Sequence, residues 1–148
     1  MMNLATTIGD DVGMAQRVLL IDDDEVDALI LRREFEHSGA GIELHHESSA
    51  DAVLQSYASS DPLPVDLILL DLSLPGMDGF AFLQARKKHP ELADVPVIMT
   101  TSSDGMDDIS RAFELGAIDY FVKSMRQGQY ELLLRKIAKH TQPAALPA

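Results

Sequence analysis

The sequence predicts an α/β fold, a doubly wound parallel sheet of five strands covered by helices on both faces. Three observations predict it. Short apolar runs alternate strictly with stretches of helical period along the chain. The central runs, Val18-Leu-Leu-Ile21 and Leu67-Ile-Leu-Leu70, are apolar at every position, as strands buried on both sides must be. Glycine and proline mark many of the joints between elements, as at Gly39, Gly41, Pro62, Pro64, Pro75-Gly76 and Gly116.

Each element has its own signals. Arg17–Ile21 reads as the first strand. Asp24 is placed to cap a helix over Glu25–His37, with Glu25 and Asp27 as favourable acids in its first turn, and Gly39 and Gly41 stop it. Ile42–Glu47 is a weaker strand and Ala50–Tyr57 a short helix, followed by a turn marked by Pro62 and Pro64. Val65–Leu70 is the third strand. Pro75-Gly76 makes a turn, and Asp78 can cap a helix running to about His89. Val95–Thr100 is the fourth strand, Met106–Leu115 a helix closed by Gly116, and Tyr120–Val122 the fifth strand. Gln129–His140 is the last helix, with Tyr130, Leu133, Leu134 and Ile137 on one face. Residues 1–15 read as a flexible leader, 16–141 as one domain, and 142–148 as a flexible Pro/Ala-rich tail. His37, His89 and His140 read as partners of helix C-terminal dipoles. His45 and His46 are neighbours on a strand and point to opposite faces, so they do not form a metal pair.

Composition narrows the function. The 148 residues suit one compact domain. A net charge of −12 opposes phosphate backbones and anionic lipid, so neither nucleic acid nor membrane is an expected partner. Cysteine is absent, which excludes disulfides and thiolate metal sites. No apolar run approaches the ~20 residues of a membrane span, and Met1–Gln16 lacks the pattern of a secretory signal. A soluble cytoplasmic protein is expected.

In parallel sheets of this kind chemistry gathers at the carboxyl ends of the strands. Asp22, Asp23 and Asp24 follow the first strand, Asp71 the third, Thr100, Thr101, Ser102 and Ser103 the end of the fourth, and Lys123 the fifth. Carboxylates, hydroxyls and one amine on a single rim suit phosphoryl transfer to a carboxylate. Crowded carboxylates repel one another, and a hard divalent cation with oxygen ligands relieves that repulsion. A Lys ammonium and a hydroxyl can hold the remaining phosphoryl oxygens. An Asp-nucleophile phosphatase would want a second acid two residues after the first, where Ser73 stands. A flavin phosphate would be repelled by Asp22-Asp23-Asp24.

Four segments resemble the receiver domains of two-component response regulators: Val18-Leu-Leu-Ile-Asp-Asp-Asp-Glu25, Leu67-Ile-Leu-Leu-Asp-Leu-Ser-Leu-Pro-Gly-Met-Asp-Gly79, Pro96-Val-Ile-Met-Thr-Thr-Ser102 and Gly116-Ala-Ile-Asp-Tyr-Phe-Val-Lys123. The resemblance runs over about residues 16–141. It implies the flavodoxin-like (βα)5 receiver fold with strand order 2-1-3-4-5. It also implies that Asp71 accepts a phosphoryl group from a phosphohistidine and that the domain catalyses its own phosphorylation and dephosphorylation. Asp23 and Asp71 would bind Mg2+ (or Mn2+) directly, Asp22 through water, and Ser73 through its backbone carbonyl. Thr101 becomes the switch hydroxyl, Tyr120 the switch aromatic, Lys123 the phosphate-binding amine, and Ser102 the small neighbour of the phosphoryl group. The implied partners are a sensor histidine kinase or phosphotransfer protein and a downstream target protein, with a homodimer as a further option.

The chain departs from the family pattern in two places. The family's lysine usually precedes a proline across a cis bond, whereas Lys123 precedes Ser124. A cis bond before a non-proline costs ~2.5–4 kcal/mol, which leaves the loop geometry open. This Lys-Ser form resembles single-domain members that partner phytochrome-type kinases. Asp24 and Asp27 add acids to the usual pair and read as cap and first-turn residues. The residues after Lys123 suffice for one helix, so a stand-alone regulator that signals by protein contact is expected. Burying Ala112 would turn Phe113 outward, and Leu132 lies nearly opposite the last helix's apolar stripe. Phe113, Tyr120 and Leu132 are therefore the candidate interface. The alternative is a receiver-like interaction module that is not phosphorylated.

Overall fold

A computed structural model describes residues 15–59, 64–124 and 128–141. The segments read as leader and tail, and the Pro62 turn, lie outside the described residues apart from Ala15 and Pro64. The strands are β1 Gln16–Ile21, β2 Ile42–Glu47, β3 Leu67–Leu70, β4 Val97–Thr101 and β5 Asp119–Val122. The helices are α1 Glu25–Ser38, α2 Ala50–Tyr57, α3 Gly79–Ala85, α4 Pro90–Ala93, α5 Met106–Glu114 and α6 Gln129–Thr141. The sheet is parallel throughout, in the order β2-β1-β3-β4-β5, which is the expected 2-1-3-4-5.

The unbroken apolar strands divide their side chains between two cores. Leu19, Ile21, Ile68, Leu70, Val97 and Met99 pack with α2, α3, α4 and α5. Val18, Leu20, Leu67, Leu69, Ile98 and Phe121 pack on the other face with α1 and α6. That two-sided demand is why no polar residue interrupts LILL.

Local chemistry sets the helix ends. Asp24 caps α1 by accepting from the Val26 and Asp27 amides at 2.9 and 3.1 Å. Asp78 caps α3 through the Ala81 amide at 2.8 Å. The helix expected to reach His89 stops at Ala85, continues as a 3-10 turn over Arg86–Lys88, and gives way to the separate short helix α4. Pro90 explains the break: it forces His89 into extended backbone, φ −109° and ψ 109°. His89 therefore precedes a helix instead of terminating one. Arg86 binds this corner together from inside. Its buried guanidinium donates to the carbonyls of Leu92, Ala93, Val95 and Gly116.

Strand β4 runs one residue further than expected. Thr101 pairs with Val122, and the Lys123 amide donates to the Thr101 carbonyl at 2.8 Å, so the ladder carries Thr101 to the rim. The regular part of β3 begins at Leu67 instead of Val65.

Candidate functional site

The carboxyl ends of β1, β3 and β5 meet on one rim. Asp22 leaves β1 fully buried and is fixed on three sides. Its Oδ1 accepts from the Asp24 amide at 2.9 Å, its Oδ2 from Lys123 at 2.8 Å, and its carbonyl from His46 Nε2 at 2.6 Å. Burial raises the Asp22 carboxyl above its ordinary range, against the opposing pull of Lys123. Asp23 beside it is exposed. Asp71, at the end of β3, is 7% exposed, and its Oδ1 accepts from the Ser73 amide at 3.2 Å. Asp22, Asp23 and Asp71 can each present an oxygen within 4.8 Å of the other two.

Lys123 sits among these acids. Its Nζ donates to Asp22 Oδ2 at 2.8 Å, Asp27 Oδ2 at 3.0 Å and Asp71 Oδ2 at 3.2 Å. Burial alone would lower the ammonium pKa. The hydrogen bonds to Asp22 and Asp27, with the charges of Asp22 and Asp71, more than reverse this, so the pKa is raised and the lysine stays charged.

The Lys123–Ser124 peptide is trans, since no cis bond occurs among the described residues. The Ser124 amide donates to Gln129 Oε1 at 2.9 Å, a bond that proline could not make. Close approach fixes the other side of the site. A Cβ on Gly79 would lie 2.5 Å from the Asp71 carbonyl oxygen and 2.9 Å from Leu72 Cα, so only glycine lets α3 start against the main chain of Asp71.

Thr101 and Tyr120 converge on the loop after β4. Thr101 is buried, and its Oγ1 accepts from the Ser103 amide at 3.4 Å. The Tyr120 hydroxyl donates to the Ser103 carbonyl at 2.9 Å, and burial raises its pKa. Ser102 is exposed at the rim. Phe113 and Leu132 are 45% and 50% exposed, and Ala112 between the core helices is fully buried.

Two site residues were not anticipated. Asp27 read as a first-turn acid, yet it reaches Lys123. The available signal was position, because a helix that starts at the end of β1 must aim its first turn at the rim. Gln129 carried no signal at all, since its partner is a backbone amide. His140 read as a dipole partner but lies 3.1 Å from Asp119 Oδ2, an acid that also accepts from Lys136 at 2.8 Å.

A buried strand-end carboxylate, an acidic cluster and a rim lysine on this topology define a class, and sequence comparison agrees. Residues 18–135 match the response regulator receiver domain family, and the chain belongs to it. It is similar to the DNA-binding transcriptional regulator NtrC of Escherichia coli strain K12, at 33% identity over 131 residues, 88% of this chain and 26% of NtrC. The chain thus spans about a quarter of that relative's length. Among solved structures it is similar to the Mn2+-bound response regulator Rcp1, with 26% identity and a TM-score of 0.75 over 90% of this chain and 99% of Rcp1. The phosphorylated cyanobacterial phytochrome response regulator RcpA is similar too, with 26% identity and a TM-score of 0.74 over the same shares of each chain.

Proposed function

We propose that this receiver domain accepts a phosphoryl group on Asp71 from a histidine kinase or phosphotransfer protein and passes the signal on through protein contacts. The observation that carries the proposal is the convergence of Lys123 on Asp71, at 3.2 Å, where Asp71 and two neighbouring carboxylates, Asp22 and Asp23, can share one cation.

In this reading an Asp71 carboxylate oxygen bonds to phosphorus as the P–N bond to the donor imidazole breaks, leaving the electron pair on that nitrogen. The residues fit a hard divalent cation, since every donor is oxygen. Asp23 and Asp71 would hold Mg2+ or Mn2+ directly, Asp22 through water, and Ser73 through its carbonyl. When bound, such an ion offsets the repulsion between these acids and the incoming phosphoryl oxygens. Lys123 turns its ammonium to a second phosphoryl oxygen and Thr101 its hydroxyl to a third. Tyr120 follows the loop that carries Ser103, and Ser102 leaves room beside the new group. The exposed Phe113 and Leu132, with Tyr120, form the face that a second copy or a target protein reads. A cytoplasmic location suits a kinase partner, and no described helix is long and apolar enough to cross a membrane.

Intact-mass measurement after incubation with acetyl phosphate and Mg2+ tests the chemistry. The expected result is one phosphate adduct, absent in Asp71→Asn and absent with a chelator. An adduct that survives in Asp71→Asn would remove Asp71 as the acceptor. For the interface, sedimentation of Phe113→Asp and Leu132→Asp should show weakened self-association or target binding in the phosphorylated state. Unchanged association in both folded variants would eliminate this face.

A further inference from the structure

Lys123 spends all three of its N–H donors on carboxylates: Asp22, Asp27 and Asp71. A phosphoryl group arriving on Asp71 needs one of them, so a bond already made has to be released. The three partners are not equally able to let go. Asp22 is fully buried, its other oxygen is tied to the Asp24 amide, and leaving it without the lysine would strand a charge in the core. The donor on the Asp71 oxygen would pass to the phosphoryl group that attaches there, and the strength of that new bond depends on how firmly the other two carboxylates hold the ammonium. Asp27 stands apart. It lies on α1, its side chain is 35% exposed, and water can replace the lysine around it.

We propose that Asp27 is a positioning residue for phosphoryl transfer, holding one N–H of Lys123 in reserve and competing with the phosphoryl group for it, an assignment that rests on the acceptor reading of Asp71. Asp27 thereby lowers the affinity of the site for a phosphoryl group. It opposes that group twice, as a rival acceptor 3.0 Å from the ammonium and as a like charge. The lysine's backbone is meanwhile held by the Ser124 amide on Gln129 Oε1 and by its own amide on the Thr101 carbonyl. Only the end of the side chain needs to shift between partners.

The test is a titration of the full chain with trifluoroberyllate, a phosphoryl mimic, at saturating Mg2+ and read by fluorine NMR. Asp27→Asn should bind the mimic about tenfold more tightly, equivalent to about 1.4 kcal/mol. Glu25→Gln removes an exposed acid from the same helical turn and controls for long-range charge. It should change affinity by less than about twofold, because exposed charges are screened by salt. Asp27→Glu, which restores the carboxylate, should return the affinity toward wild type. A second readout needs no mimic. In the metal-free protein the Lys123 ammonium resonance in nitrogen NMR should shift in Asp27→Asn and stay in place in Glu25→Gln. Equal tightening in Asp27→Asn and Glu25→Gln, or an unmoved Lys123 resonance, overturns the role of Asp27 and leaves the acceptor reading intact. Failure of the wild type to bind the mimic would remove the acceptor reading, and the role of Asp27 with it.

Discussion

The two ends of the strands treat their acids in opposite ways. At the amino end, Asp119 opens β5 and meets Lys136 at 2.8 Å, His140 at 3.1 Å and its neighbour's amide at 2.8 Å. Burial would raise this carboxyl, but its partners outweigh burial and its pKa is lowered. At the carboxyl end, Asp22, Asp27 and Asp71 share one lysine, Asp23 lies beside Asp22 and Asp71, and the most buried of the four has its pKa raised. One cluster is neutralised and ties α6 to β5. The other is left short of positive charge, which a cation and a rearranged lysine can make up. Charge imbalance therefore distinguishes the candidate site from the ion-paired cluster at the other end of the strands.

The largest effect is expected at Lys123. Lys123→Met should cost about 3 kcal/mol, since it strands the buried Asp22 carboxylate. The sign of the pH dependence comes from the raised Asp22 pKa. Protonation is easier in the folded than in the unfolded state, so the penalty shrinks as pH falls through the folded value. Urea unfolding of wild type and variant at two pH values checks this, and an equal loss at both would discount Asp22.

At the other end, Asp119→Asn should cost about 1–2 kcal/mol. The lowered pKa gives the opposite sign. The contribution is complete above the ordinary value of 3.8 and is lost as pH falls through the folded value. A wild-type advantage that persists at the acid end of an unfolding series would contradict the pairing.

The smallest effect is expected at Asp23, and it should be a gain. Asp23→Asn relieves repulsion and should raise metal-free stability by up to ~1 kcal/mol. The same change should remove most of the Mg2+ response, which for wild type should reach about 2.7 kcal/mol at a hundredfold excess over Kd. Thermal melts with and without Mg2+ measure both, and a wild type indifferent to Mg2+ would refute the metal reading.

Much of this was legible in the sequence because it depends on period and placement. Unbroken apolar runs such as Leu67–Leu70 required a sheet covered on both faces, and strand-end positions brought Asp22, Asp71 and Lys123 to one rim before any coordinates. The strand order was not legible from the residues and came from family resemblance. The misses share a cause, since each depends on a side-chain contact that residue type and spacing do not announce. Asp27 meets Lys123, Gln129 meets the amide of Ser124, and His140 meets Asp119, none of which a local pattern records. The helix break at Pro90 is different, a local signal in its own right, for proline constrains the residue before it as well as itself.

Gly79 has a consequence for how mutations here should be interpreted. The main chain of Asp71 is located by a backbone seated directly against it, 2.5 Å from where a methyl would stand. The group at position 71 can therefore be exchanged, as in Asp71→Asn, while its frame stays in place. The reverse holds at position 79. A single methyl there displaces Asp71 without altering its carboxylate, so a genetic screen would score it as a lesion of the site although no side chain of the site was removed.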